Sequence, residues 1–364
     1  MNIADTDLPH TRHQPLFPSW LPLLSFPVLL AAEAIHAPAL LVFLLAILAI
    51  IALASQMGKA TEELAAHFGS TFGGFLNATF GNAAEFIIAF AAINAGLSDL
   101  VKASLTGSIV GNALFVVGAA FFFGGLRYRE QSFDVRAAGL NSTMLLIAVI
   151  SLLVPSAFFF FSPPGSPILE LSTENLSIFV AILMMSIYIL SLVFSFHTHS
   201  YLFRKRSHPP PSIDRNTAIA ILLLSTIALA VTSEIFAHHL EEVAMMFDFS
   251  QLFMGAVVVA LVGNAAEHLG AVAAAKKNDI DLALAITIGS SIQIALLVAP
   301  LLVLLSFAVG KPMNLVFTVF EMLAMFASVL IINEISSDGQ CNWFEGVQLM
   351  VMYLLLAGLF FFVR

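Results

Sequence analysis

The sequence predicts an all-α integral membrane protein with eleven transmembrane helices, a leading helix plus two inverted five-helix repeats. Three observations predict it. Of 364 residues, 60% are hydrophobic and 10% charged, against about 25% charged in soluble proteins. Runs of the ~20 apolar residues needed to cross a bilayer as a helix recur almost end to end. A short motif built around one glutamate also stands in both halves of the chain. The runs are continuous rather than alternating in polarity, which argues against a membrane β-barrel.

Taken in order, the first run covers residues 19–36 and is interrupted by Pro22 and Pro27, with Pro18 just before it. The "AEA" at 32–34 resembles a signal-peptide cleavage site. Its leading region, however, sets Asp5 and Asp7 against Arg12, a poor basic flank, so it is read as a span. Runs at 38–55, 73–97, 101–126, 138–161 and 174–196 follow. The stretch "HTHSYLFRKRSHPPPSIDRN" at 197–216 is basic and broken by proline. Runs at 217–236, 250–275, 280–308, 313–333 and 343–363 complete the chain. The expected division is therefore 1–37 (tail and leading span), 38–196 (first five-span repeat), 197–216 (linker) and 217–364 (second repeat). His197, His199 and His208 in the linker invite a metal-binding reading. A solvated linker near lipid headgroups is favoured, because no close ligand set completes a site. The single cysteine, Cys341, excludes an intramolecular disulfide.

Lys and Arg set the direction. With the N-terminus inside, Arg12, Lys59, Arg127, Arg129, Arg136, Arg204, Lys205, Arg206, Arg215, Lys276 and Lys277 fall on the cytoplasmic side. Only Lys102, Lys311 and Arg364 fall outside. This is the positive-inside pattern, and it places the C-terminus outside.

The repeat gives the site. "GNAAEF" at 81–86 recurs as "GNAAEH" at 263–268, so Glu85 and Glu267 stand 182 residues apart. The "GS" pairs Gly107–Ser108 and Gly289–Ser290 share that offset, as do Asp99 and Asp281. Five spans is an odd number, so the copies cross the membrane in opposite senses. In such inverted repeats, substrate sites lie near the bilayer midplane between the copies. A carboxylate at that depth costs a few kcal/mol and marks function by default. Asn82 and Asn264, each three residues before its glutamate, are expected on the same helical face. The glycine and alanines allow close helix approach, and glycine also tolerates a local break.

Two carboxylates with two amides make an oxygen-rich cage suited to a hard divalent cation. Ca²⁺ takes six to eight oxygens in flexible geometry, whereas Mg²⁺ sheds water reluctantly. Ser108 and Asn112 in the fourth span, and Ser290, Ser291 and Gln293 in the ninth, are further candidate ligands. Plain interhelical hydrogen bonding is an equal reading of these five. Two acids held together out of water cannot both stay ionised once the cation leaves. Protons then compete with Ca²⁺ for Glu85 and Glu267, and His268 is a candidate proton relay. Glu62 and Glu63 are expected at the inner mouth, with Glu241 and Glu242 at the outer. Glu234 is the deepest gate candidate. Glu321 and Glu345 read as interfacial.

These residues resemble the Ca²⁺/H⁺ exchanger family of the cation/Ca²⁺ exchanger superfamily. The resemblance rests on "TEELAAHFGSTFGGFLNATFGNAAEFII" (61–88), "VTSEIF" (231–236), "VGNAAEHLGAV" (262–272), "IGSSIQIAL" (288–296) and "SSDGQCNWFEGVQLM" (336–350). It implies an electrochemically driven antiporter in which Glu85 and Glu267 bind the ion, assisted by Asn82 and Asn264. Many relatives carry an acidic segment between the halves, whereas this linker is basic. The resemblance implies no prosthetic group, with Ca²⁺ as cargo and H⁺ as counter-ion. Membrane lipid is an expected partner, nucleic acid is not, and a homo-oligomer stays open. The expected location is a bacterial inner (plasma) membrane. A Na⁺-driven or Mn²⁺-preferring exchanger on the same scaffold stays open as well. An intramembrane Glu/His enzyme is disfavoured, since no His-Glu-x-x-His, nucleophile or phosphate-loop pattern is present.

Overall fold

In lipid, backbone N–H and C=O groups find no water, so helices that satisfy their own bonds dominate. The computed structural model describes residues 20–68, 76, 79–163, 169–198 and 210–363, nearly all of them helical. Most of the linker, including His199 and His208, lies outside the described residues, as do the first nineteen residues.

The first half contains α1 (Leu21–Ala34), α2 (Ala39–Phe68), α3 (Ala83–Asn94), α4 (Ser98–Gly125), α5 (Val135–Phe161) and α6 (Leu169–Val193). The second contains α7 (Arg215–Met246), α8 (Gln251–Gly263), α9 (Ala265–Ala275), α10 (Ile280–Ala308), α11 (Val319–Ile335) and α12 (Trp343–Phe362). Among the described residues, seven of these are long and apolar enough to cross a membrane, or eight if the bent pair α8–α9 counts as one span.

Helix ends depart from the ends of the apolar runs. α2 continues past residue 55 to Phe68 and α7 past 236 to Met246. The extra turns are rich in Ala, Glu, Lys and Leu, which favour helix whatever their polarity. Glu62, Glu63, Glu241 and Glu242 therefore sit on helices rather than in loops. Asp214 caps α7 by accepting from the Thr217 hydroxyl and backbone N–H. Those bonds hold its carboxyl below the usual carboxylate range. The cap is thus fully present above that range and is lost as pH falls through the lowered value.

The expected span 313–333 is helical only from Val319. Residues 311–318 run extended, with Met313, Leu315 and Phe317 fully buried. An extended segment inside the protein must find partners for its backbone. The Ser156 hydroxyl on α5 donates to the Leu315 carbonyl at 3.0 Å and accepts from the Phe317 N–H at 2.9 Å. The Ser177 hydroxyl on α6 accepts from the Leu315 N–H at 3.0 Å. The Ser306 hydroxyl on α10 accepts from the Met313 N–H, and Lys102 on α4 donates to the Val316 carbonyl, both at 2.9 Å. Glu321 is buried and completes a capping box with Thr318 at the start of α11.

α4 is the central helix and the most buried of the long ones. It crosses α8 at very short range. A Cβ on Gly107 would overlap the Ala256 carbonyl, and one on Gly255 would lie 2.6 Å from the Ala103 Cβ. Only glycine lets the backbones approach this far. α2 and α7 pack along each other, with Phe43 stacked on Phe236 at 4.8 Å, and α1 lies on α2. Their main contacts with the remainder run through α3, α8 and α9.

At the opposite end from the extended segment, a two-residue antiparallel ladder joins β1 (Gln131–Ser132) to β2 (Gln340–Cys341), with Gln131 opposite Cys341. The Gln131 side chain donates to the Ala275 carbonyl at 3.0 Å and to Asn278 Oδ1 at 2.8 Å, fixing the end of α9. Cys341 is buried, and burial, with the charges of Glu345 and Asp338, pushes its thiol up to about 12. The reactive species is the thiolate. Labelling with a maleimide at pH 7 should therefore be at least about tenfold slower in the folded protein than in dodecyl sulfate.

Candidate cation site

Both copies of the repeated motif coincide with a helix break. α8 and α9 meet at 61° around Asn264, whose backbone (φ −90°, ψ 3°) leaves the helix. Asn82 adopts nearly the same conformation (φ −98°, ψ 23°) where α3 begins. Each asparagine is thus at the start of a helix and not on a continuous helical face with its glutamate. Glu85 and Glu267 fall in the first turns of α3 and α9. There the unpaired N–H groups carry partial positive charge and favour an anion.

The repeats interlock crosswise. Asn264 donates to the Ser108 hydroxyl at 2.9 Å, and the Ser290 hydroxyl donates to Asn82 Oδ1 at 2.8 Å. Each serine of one half therefore meets the asparagine of the other. Further bonds break the symmetry. Asn82 donates to Gln293 Oε1 at 2.6 Å, and Asn112 donates to the Ser290 hydroxyl at 3.2 Å and to Asn264 Oδ1 at 3.5 Å. With its amide nitrogen so engaged, Asn112 accepts through Oδ1 from His268 Nε2 at 3.0 Å. That bond fixes the proton of His268 on Nε2 and ties the ring to an amide. Asn82, Ser108, Asn112, Asn264 and Ser290 are all buried.

The glutamates themselves are half-buried. Oε2 of each is sealed from solvent and has no hydrogen-bond partner among the described residues. Gly263, from the second motif, packs on Glu85 of the first, and a Cβ there would lie 3.3 Å from Glu85 Cγ. A sealed acceptor with no donor costs about 1–3 kcal/mol, more when charged, so this pair is incomplete without a cation or a proton. Among the described residues no group of three or more His, Cys, Asp or Glu side chains is placed to hold a metal. Any further ligands here must come from amides, hydroxyls, backbone or water.

Other candidates stand apart. The Ser291 hydroxyl turns back to the Thr287 carbonyl at 3.1 Å. Glu234, expected deepest, is exposed, because α7 buries Thr232, Ser233 and Phe236 on a different face. Glu62, Glu241 and Glu242 are exposed as well, and Glu63 bonds the Ser212 backbone and hydroxyl just before α7. Toward the other, C-terminal end of α7, Glu33 of α1 contacts His239 at 2.8 Å. Sequence reasoning passed over Gln56 Oε1 on α2 and Ser233 Oγ on α7, both buried without partners among the described residues.

Broken helices that present paired acids at the crossing of two repeats are the mark of a multi-pass membrane carrier of ions. The family model described as "Sodium/calcium exchanger protein" matches residues 38–197 and 217–362. The chain is 44% identical over 340 residues to a Ca(2+)/H(+) antiporter of Synechocystis sp., covering 88% of this chain and 91% of that one. It is 41% identical over 342 residues to the Ca(2+)/H(+) antiporter ChaA of Bacillus subtilis, covering 92% and 96%. The solved structure of native YfkE superposes with a TM-score of 0.81 at 40% identity, over 94% of this chain and 99% of that one. The protein belongs to the sodium/calcium exchanger family, and it is a transporter rather than an enzyme.

Proposed function

We propose that the protein is a secondary active antiporter that exchanges Ca²⁺ for H⁺ by alternating access. The observation that carries the reading is that Oε2 of both Glu85 and Glu267 is sealed and without a partner among the described residues, beside the crosswise Ser–Asn bonds. Relatives named as Ca²⁺/H⁺ antiporters at 41–44% identity support the same ion pair. Ca²⁺ binds between the two carboxylates, with Asn82 and Asn264 oriented by their serine partners. When Ca²⁺ leaves, protons neutralise the acids, so the two cargoes exclude each other. His268 acts through Asn112, not by touching the ion.

The chain crosses the membrane eleven times as a leading helix and two oppositely oriented repeats, 38–196 and 217–364. The N-terminus is cytoplasmic, and the membrane is the bacterial plasma membrane. The run list and the sorting of Lys and Arg support that arrangement. Uptake of ⁴⁵Ca²⁺ into everted vesicles tests the reading. An acid-inside gradient should drive uptake, and an imposed Na⁺ gradient without a pH difference should not. Uptake driven by Na⁺ alone would overturn the proton coupling.

The network makes its own prediction. Asn112→Ala should raise half-saturating Ca²⁺ about tenfold, the equivalent of about 1.4 kcal/mol, because it releases Asn264, Ser290 and His268 together. Ser291→Ala, on the neighbouring residue, should leave it within about twofold, since the hydroxyl only back-bonds its own helix. Initial rates of uptake against Ca²⁺ concentration check both.

A further inference from the structure

Away from the ion site, a cavity of about 790 Å³ opens between the start of α5 and the end of α6. Its lining is mixed. Arg136, the second residue of α5, lines it with Asn141, Thr143, Ser191 and Ser195, and Leu140 and Ile147 supply apolar wall. With a 1.5 Å rise per residue, Asn141 and Thr143 lie about 7–10 Å below Arg136, and Ile147 lies about 16 Å below it.

Ser191 donates back to the Tyr188 carbonyl at 2.7 Å, whereas Arg136, Asn141, Thr143 and Ser195 have no side-chain partner among the described residues. Asp134, the nearest acid in sequence, is occupied in capping α5 through the Arg136 and Ala137 N–H groups. A polar group at hydrocarbon depth without a partner is costly.

We propose that this groove is a binding site for one anionic phospholipid. The lipid phosphate pairs with Arg136, its glycerol and ester oxygens meet Asn141, Thr143 and Ser195, and an acyl chain lies along Leu140 and Ile147. A phosphoryl group on guanidinium is a strong, often bidentate contact. A free phosphate matches only the top tier. Basic pockets between transmembrane helices are known to hold acidic headgroups.

The test is native mass spectrometry of the purified full-length protein, with phosphatidylglycerol and phosphatidylcholine supplied in equal amounts and with matched chains. The wild type should retain one phosphatidylglycerol in at least tenfold preference, and excess glycerol phosphate should not displace it. Arg136→Gln should abolish the preference. Gly139→Leu, which fills space that is open beside the backbone, should abolish retention of either lipid. Should Gly139→Leu fail to fold, Arg136→Gln alone decides. Equal retention of both lipids, a preference that survives Arg136→Gln, or dimers that form on this face and exclude lipid would each overturn the proposal. The readout does not depend on Ca²⁺ transport, so its failure would leave the antiport reading standing.

Discussion

Glu85→Gln or Glu267→Gln should each reduce proton-driven Ca²⁺ uptake to background while leaving the protein folded and extractable as a single species. The amide keeps the size of the side chain but removes one of the two charges facing the cation and the group that takes up the proton. Removing one partner from a buried charge pair costs about 3–5 kcal/mol, equivalent to roughly a 100- to 4,000-fold loss of affinity. Loss of the titratable oxygen removes proton coupling in addition. Folding should survive, because the crosswise bonds of Asn82, Asn264, Ser108 and Ser290 do not pass through either carboxylate. Everted-vesicle uptake and size-exclusion profiles of both variants check this together. Substantial transport by both would mean that the ion travels elsewhere.

The second large effect is on folding. Gly107→Leu, and even Gly107→Ala, should destabilise the protein by about 3 kcal/mol or more. The new Cβ would meet the carbonyl of Ala256, a backbone atom of α8 that cannot swing aside as a side-chain tip can. α4 would have to withdraw from α8, taking Ser108 with it and breaking the bond that holds Asn264. Gly358→Ala on α12 is the control. It meets nothing within reach and should stabilise by about 0.4–1 kcal/mol through the restricted unfolded chain. Thermal unfolding in detergent should show a large fall in midpoint for the first variant and a small rise for the second. Equal midpoints would refute the close crossing.

Much of the site was legible because a duplicated chain keeps its register. The offset of 182 residues brought Asn82, Glu85 and Ser108 into line with Asn264, Glu267 and Ser290 before any coordinate was considered. Ser291 shows where that reading runs out. It neighbours Ser290 but points about 100° away around the helix. A helix that is apolar all round carries no stripe to fix its rotation. The same ambiguity hid Gln56 and Ser233. The extended 311–318 segment and the Gln131–Cys341 ladder were invisible for a different reason. The segment is held by isolated side chains on four different helices and the ladder by backbone pairing across about 210 residues, and neither leaves a periodic trace. The helix ends past residues 55 and 236 were missed because hydropathy reports the bilayer's thickness, not the helix's length.

The extended segment constrains how the molecule can deform. Its amides and carbonyls are pinned from α4, α5, α6 and α10 at once, so those four helices are fastened at one level and must turn as a single frame. The hinge of any rocking motion then falls where α1, α2 and α7 meet α3, α8 and α9. Amide deuterium uptake should divide along the same line, with Met313, Leu315 and Phe317 among the slowest positions in the chain and indifferent to whether the carrier is loaded.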